Sequence, residues 1–436
     1  MSHAPLLMPM PVRRRGPLIA GWQQCLMATC AGLILLCGAS PVLADGPLAG
    51  QKVRIAFIDP LSGPLADVGR NGLRSWQFMA ERKSGAGNAA GVRFLVAGFD
   101  NKGSPQESLN VLKVVIDQGF RYIVQGNSSG AAAALSDAVT RHNAQHPEKA
   151  VVFINYAAMD PALTNEKCSF WHFRIDADTS MKVRALTRFL KRQTDLKKVY
   201  LLNQNYAHGQ QVALFFRHEI ARQQADVTVV GDVLHAPFQV EDFRPYVRSI
   251  KESGAQAVIT GNWGVDMRRL VEALQDEGVS LPLCAFYPGL KGTPTALARA
   301  PSTMPVYQIA YSHTNQVAPV DELASAFQKR YGEDLVVLAG YDGLEMLGQA
   351  MKHIGTTDPA RVAARLSGMI FQGFNGPVQM RADDHQLQKG VYISRWQKVD
   401  AAFPIGAEGT DHTFAPVQFL PGSEITGCTS CQMQRP

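Results

Sequence analysis

Short apolar runs alternate with stretches of helical spacing over most of this 436-residue chain. The run 53–58 predicts a buried strand, closed by Asp59-Pro60 and the loop Ser62-Gly63-Pro64. Residues 71–84 predict a helix with Leu73, Trp76 and Ala80 on one face, 92–98 a strand, and 105–118 a helix with Pro105 in its first turn. A short apolar run, 122–125, an alanine-rich helix from Ala131 and a further strand, 151–155, complete a βαβαβαβ order. That order predicts a parallel sheet with helices on both faces. The pattern then restarts: strands at 170–175, 199–203, 227–233, 257–260 and 281–286 alternate with helices near 181–193, 210–223, 243–253 and 265–277.

Two successive units of about 120 residues each predict two doubly wound α/β lobes, alike in architecture without a sequence repeat. After Gly289 the pattern loosens. A polar loop spans 291–304; a strand is expected at 306–310, helices at 319–331 and 337–354, and a closing hairpin from 377–381 and 391–397. Beyond about Asp400 the Gly- and Pro-punctuated chain predicts an extended strap or a poorly ordered tail.

Composition is 46% hydrophobic and 18% charged, which is enough apolar mass for two globular cores. The formal net charge is +6, but three of those charges, Arg13, Arg14 and Arg15, precede an apolar run 25–36 and then Pro41-Val42-Leu43-Ala44. This is the pattern of a cleaved secretory signal over residues 1–44. Its apolar run is too short to span a membrane comfortably. Its removal leaves 40 basic against 37 acidic residues and no basic run, so charge gives no support to nucleic-acid binding. Four cysteines then remain, Cys168, Cys284, Cys428 and Cys431. An even number in an oxidising compartment is consistent with disulfides, in three possible full pairings. Cys428-x-x-Cys431 has no second cysteine pair and no thioredoxin-like strand before it, so it predicts a disulfide that is local or fixes the tail.

The chemistry concentrates at Gly126-Asn127-Ser128-Ser129-Gly130, between a strand and a helix. A helix start leaves N–H groups unpaired at the positive end of its dipole, and two hydroxyls beside it suit a carboxylate. The same five residues match Gly-x-Ser-x-Gly, which would make Ser128 the nucleophile of an esterase, with His313, His353, His385 or His412 following in order. Against that, only two strands precede the turn in the mature chain, and no His-Gly-Gly-type segment supplies an oxyanion hole. Gly85-x-Gly87-x-x-x-Gly91 has the wrong spacing and place for a nucleotide loop, and His142 with His146 lacks acidic partners for a metal. No cofactor is expected, and no metal.

Other loops stand at strand ends, where doubly wound sheets bind ligands. They are the stretch 59–69, which contains Leu65; Tyr156-Ala157-Ala158-Met159-Asp160-Pro161; Asn205-Tyr206-Ala207-His208-Gly209; and Gly261-Asn262-Trp263-Gly264-Val265-Asp266. Facing lobes would bring together hydroxyls, backbone donors, aromatics and one carboxylate, a set suited to a zwitterion.

With these motifs in order, along with Asp100-Asn101, Asp242-Phe243 and Gly340-Tyr341-Asp342-Gly343, the stretch from Lys52 to Lys398 resembles the type I periplasmic solute-binding proteins of the leucine/isoleucine/valine-binding group. These are the receptors of branched-chain amino-acid ABC transporters. The resemblance implies two lobes joined by three crossing strands that close by hinge motion. It implies a first lobe of residues 50–165 plus 290–372, a second of 166–289 plus 373–399, and a tail of 400–436. In its terms Ser128, Ser129 and the backbone of Ala157, with Ala158 and Met159 beside it, hold a ligand carboxylate. Tyr206 lines the far wall, Asp266 stands where the family's amine-binding acid stands, and Trp263 and Tyr287 flank the side-chain pocket, with Leu65 near it. Met159 replaces a frequent threonine, the serine loop is about one residue short, and Asp266 is shorter than the glutamate of the type member. Those departures leave room for a carboxylate without an amino group. The implied protein is a non-enzymatic periplasmic monomer that delivers an amino acid or similar small carboxylate to an ABC permease; a sensing partner of a membrane receptor is the other use of such a fold.

Overall fold

A computed structural model describes residues 47–436 except 194, 224, 300–303 and 316–318. The expected signal, residues 1–44, lies outside the described residues. Strand β1 (Lys52–Asp59) leads through α1 (Ala66–Arg82) to β2 (Arg93–Asp100), then α2 (Pro105–Asp117), β3 (Tyr122–Gln125), α3 (Ser129–Gln145), β4 (Val152–Asn155) and β5 (His172–Arg174). These strands form one parallel sheet in the order β2-β1-β3-β4-β5. Strands β3, β4 and β5 are buried at every position, as expected of strands covered by helices on both faces.

The second series runs α4 (Thr179–Leu190), β6 (Lys198–Gln204), α5 (Ala207–Arg222), β7 (Thr228–His235), α6 (Arg244–Glu252), β8 (Ala257–Thr260), α7 (Gly264–Asp276), β9 (Leu283–Ala285), α8 (Thr293–Ala298) and β10 (Val306–Ala310). Helices α9 (Val320–Tyr331), α10 (Ala339–Ile354) and α11 (Pro359–Leu366) return to the first core, where Phe327, Leu347 and Val362 pack with Trp76 and Phe57. After β11 (Ile370–Gly373), β12 (Gly376–Met380) and β13 (Leu387–Gln388), the chain closes with β14 (Val391–Lys398), β15 (His412–Leu420) and α12 (Gly422–Ile425). The second sheet has the order β15-β14-β10-β9-β8-β6-β7 and is parallel except for its two last-added strands, β14 and β15.

Several placements differ from expectation. Strand β5 pairs with β4 in the first sheet, so the chain changes lobe after residue 174 rather than at 166. Strand β10 lies within the second sheet, beside β9, although residues 290–372 were expected in the first lobe. The expected closing hairpin does not form: β12 pairs with β11 and β13, whereas β14 pairs with β10 and β15. The loop expected at 291–304 contains α8. The tail is largely built in, because β15 adds a strand to β14 and Cys431 bonds to Cys168. Cys284, buried, and Cys428, exposed, are free thiols.

Three stretches of chain pass between the sheets: after β5, after β10 and between β13 and β14. The first and third are bonded to each other. Arg174 donates from its backbone N–H to His385 O at 2.9 Å and from Nε to Gln386 Oε1 at 2.5 Å. Buried ion pairs cluster here: Arg174 with Asp178 at 3.0 Å, Lys182 with Asp176 at 2.6 Å and Lys389 with Asp342 at 3.1 Å. Taking such charges out of water is offset only when each finds its partner, so the network ties the crossings to one arrangement.

Candidate functional site

In both sheets the topology reverses beside the first strand of the lobe. In the first, β1 is flanked by β2 and β3; in the second, β6 is flanked by β7 and β8. The strand ends at such points leave a crevice. One cleft between the lobes is lined by Gly126, Asn127, Ser128, Ser129, Tyr156, Ala157, Ala158 and Met159 from the first, and by Tyr206, His208, Trp263, Phe286 and Tyr287 from the second. Its walls are hydrogen-bonded to one another where Tyr287 Oη donates to Ala157 O at 3.0 Å, and outside the lining Gln211 Nε2 donates to Asp160 Oδ1 at 2.5 Å.

The serine turn is held from behind. Gly126 is required because a Cβ there would stand 2.5 Å from Cε2 of Tyr156. Asn127 N–H donates to Asp59 Oδ1 at 2.9 Å, Gly126 N–H to Oδ2 at 3.3 Å, and Tyr156 Oη to Oδ2 at 2.5 Å. Asp59 is fully buried, and burial pushes its carboxyl up to about 7 against the pull of these donors. Ser128 caps α3 at φ 84°, a conformation that costs a non-glycine residue about 1–3 kcal/mol and persists where surroundings enforce it. Its Oγ accepts from Ala131 N–H at 3.4 Å. Ser129 and Gly130 open the helix, whose first N–H groups lack intrahelical acceptors. The turn thus places two hydroxyls beside the first N–H groups of α3.

Ala157 and Ala158 line the cleft, but their N–H groups donate to Asn155 Oδ1 at 3.2 and 2.8 Å. A ligand would compete with the Asn155 amide for them. Met159 lines the cleft while packing into the second core, and its carbonyl accepts from Thr179 N–H at 3.0 Å.

The far wall is aromatic. Tyr206 stands at the start of α5 and Trp263 at the start of α7, and Trp263 Nε1 donates to Tyr206 Oη at 2.7 Å. The Phe238 ring meets Trp263 edge-on at 5.0 Å between centroids. Asp266 does not line the cleft. It is fully buried behind this wall, where Oδ2 accepts from Gln204 Nε2 and from Phe238 N–H, each at 2.7 Å. Leu65 is likewise off the lining and lies at the lobe boundary, 3.8 Å from where a Cβ on Gly264 would stand. Sequence reasoning missed Asp176, Lys182 and Tyr311, which also line the cleft, as does His313, named there only as a possible esterase histidine. Lys182 is bonded to Asp176 and lies 4.8 Å from the Tyr287 ring centroid; burial lowers its pKa, against Asp176. A signal existed for it, since Lys182 precedes Leu186 and Phe189 by four and seven residues on a helix side that is buried. His208 is neutral, its pKa brought down to about 3 by burial and then by Lys182.

Among the described residues no histidine hydrogen-bonds Ser128 or Ser129, and no group of three or more His, Cys, Asp or Glu could hold a metal ion. None of the described helices is long and apolar enough to cross a membrane.

Two lobes on parallel sheets, three crossings and a polar-to-aromatic cleft define a two-lobed, type I periplasmic binding fold. A family model described as periplasmic binding protein matches residues 52–401, and the chain belongs to that family. The Leu/Ile/Val-binding protein homolog 4 of Brucella abortus is 27% identical over 418 residues, covering 92% of this chain and 97% of the relative. The closed structure of the leucine-, isoleucine-, valine-, threonine- and alanine-binding protein of Brucella ovis superposes with a TM-score of 0.78 at 26% identity, covering 89% of this chain and 100% of that one. A solute-binding protein of an ABC transporter from Rhodopseudomonas palustris, in complex with 3,4-dihydroxybenzoic acid, matches with a TM-score of 0.72 at 18% identity, covering 85% of this chain and 98% of that one.

Proposed function

We propose that this protein is a periplasmic receptor that binds a small carboxylate with an apolar or aromatic body between its lobes and delivers it, as a monomer and without catalysis, to an ABC permease. The observation that carries the ligand class is the state of the acids around the cleft. Asp266 is fully buried behind the wall with Oδ2 bonded there, Asp176 is paired with Lys182, and Asp334, the other acid of the lining, accepts from Glu408 N–H, so each of these acids already has a partner within the protein. The helix start at Ser128 and Ser129 remains for the ligand carboxylate, and Tyr206, Trp263, Phe286 and Tyr287 for its body. The dihydroxybenzoic acid bound by the Rhodopseudomonas neighbour falls within this class, whereas the relatives' names point to amino acids, which share the carboxylate and the apolar body but add an ammonium group. Closure would be driven by ligand contacts made to both lobes.

Calorimetry with leucine, isoleucine, valine, benzoate and 4-hydroxybenzoate tests the reading. Expected is saturable binding of a carboxylate that lacks an amino group. Tight binding confined to amino acids would overturn the ligand class, and turnover of an ester abolished by Ser128→Ala would overturn the receptor reading.

A further inference from the structure

Four of the buried aspartates are paired with cations, whereas Asp59, Asp160 and Asp266 have no Lys or Arg partner among the described residues. Asp176, Asp178, Asp342 and Asp384 face Lys182, Arg174, Lys389 and Arg381 respectively. Asp59 has no ion pair among the described residues, although it is fully buried and carries the backbone of the anion-suited turn.

Its surroundings are neutral or acidic on every side. From β3 and its turn come the Gln125 amide, 3.4 Å away, and the N–H groups of Gly126 and Asn127. From the end of β4 comes Tyr156, and near Tyr156 stands Tyr311. From α1 comes Gly72, close to the Tyr156 hydroxyl. On β2 the register partner is Asp100, whose carboxylate is turned to the N–H groups of Leu61 and Lys102.

We propose that Asp59 couples ligand binding to proton uptake: a carboxylate bound at the Ser128–Ser129 turn disfavours the ionised Asp59 behind it, and the acid takes a proton from solvent as the ligand enters. This rests on the carboxylate reading of the site. The physics is that of two acids sharing a poorly hydrated region, where the second negative charge raises the affinity of the first for a proton. Burial brings the Asp59 carboxyl up to about 7, and a carboxylate bound in front of it raises it further. Hydrogen bonding allows the change. Tyr156 Oη now donates to Asp59 and accepts from Asn127 Nδ2 at 3.0 Å. Once Asp59 carries a proton it donates to Tyr156 Oη, and the tyrosine hydrogen is released toward another acceptor. Tyr156 lines the cleft, where a ligand carboxylate is such an acceptor.

The test is calorimetry on the whole mature protein with benzoate and leucine as probes, between about pH 6 and 8.5, in two buffers of different ionisation enthalpy. Expected is uptake approaching one proton per ligand on the alkaline side of neutrality, with Kd rising by up to about tenfold per pH unit there. Asp59→Asn is expected to bind with a pH-independent Kd, and Tyr156→Phe to keep the uptake while binding more weakly. Binding with no proton uptake by the wild-type protein overturns the proposal alone. Uptake undiminished in Asp59→Asn overturns the assignment to Asp59; if that variant does not fold, a midpoint displaced from neutrality in both wild type and Tyr156→Phe does the same. Failure of both probes to bind overturns the carboxylate reading, and this proposal with it.

Discussion

The two switch points are built alike and finished differently. Each places a fully buried aspartate behind a loop at a strand end, Asp59 behind Gly126 and Asn127 in the first lobe, and Asp266 behind Phe238 in the second. In the first, the loop continues into a helix start with two serines, one of which caps it through a 3.4 Å contact to Ala131 N–H. In the second, aromatic residues, Tyr206 and Trp263, stand at the helix starts without a side-chain cap bond, and the held residue, Phe238, braces the indole. The difference teaches that a buried acid near a strand end or a helix start of this fold need not face a ligand. Both serve as acceptors for backbone N–H groups, and what each lobe offers the ligand is decided by the residues in front.

The largest expected effect comes from breaking the first lobe's version. Gly126→Ala puts a Cβ into the Tyr156 ring, where both the turn and the ring are packed. Overpacking of this kind costs about 1–3 kcal/mol, and displacement of Tyr156 from Asp59 adds to it. Urea unfolding is expected to show a loss at the upper end of that range, with carboxylate binding abolished. An unchanged midpoint would mean that the turn is not held as described.

Asp266→Ala is next and separates the two possible roles of that acid. Removing it strands the Phe238 N–H and the Gln204 amide, a loss of about 1–3 kcal/mol in stability. Affinity for leucine and benzoate should fall alike and by no more than severalfold. A hundredfold loss for leucine with benzoate unaffected would restore Asp266 as an amine contact.

Much of this comparison is visible in the sequence, and the missing part has a definite cause. The first-lobe turn was found because an apolar run, a Gly/Ser turn and an alanine-rich helix are each local signals. The aromatic wall was found because Tyr206 and Trp263 follow strands in a parallel series. The roles of the two aspartates depend on which N–H groups the folded chain turns toward them, from as far away as Asn127 on one and Phe238 on the other, and no local spacing reports that. Asp59-Pro60 reads simply as a strand ending. Strand β15 escaped notice because Pro416 interrupts it and its outer half alternates with exposed positions, as suits an edge strand. The misplaced hairpin had a similar origin: β12 and β14 are near in sequence but have different partners, and pairing is a tertiary choice.

Ser128→Ala with Ser129→Ala tests the open face of the first lobe. Two hydrogen bonds to a charged ligand are worth roughly 3 kcal/mol together, so affinity for benzoate or leucine should fall about a hundredfold with little change in unfolding midpoint. Ser128→Gly alone sharpens the point. It loses one hydroxyl but relieves the positive φ, so it should bind more weakly and yet unfold at a higher denaturant concentration. Weaker binding accompanied by lower stability would indicate that Ser128 caps α3 more strongly than its 3.4 Å contact implies.

The smallest expected effect lies in the second lobe's aromatic wall. Tyr206→Phe keeps the ring and removes the acceptor of the Trp263 indole N–H, which is itself buried. An unpaired buried donor costs about 1 kcal/mol or somewhat more. Because the indole is also braced by Phe238, it should shift rather than leave the wall, and the cost should divide between stability and a severalfold loss of affinity. The loss should be equal for aliphatic and aromatic carboxylates, since the hydroxyl acts through Trp263 and not on the ligand. A selective loss for one of the two would show that Tyr206 Oη itself touches the ligand, and the second lobe would then be a polar reader like the first.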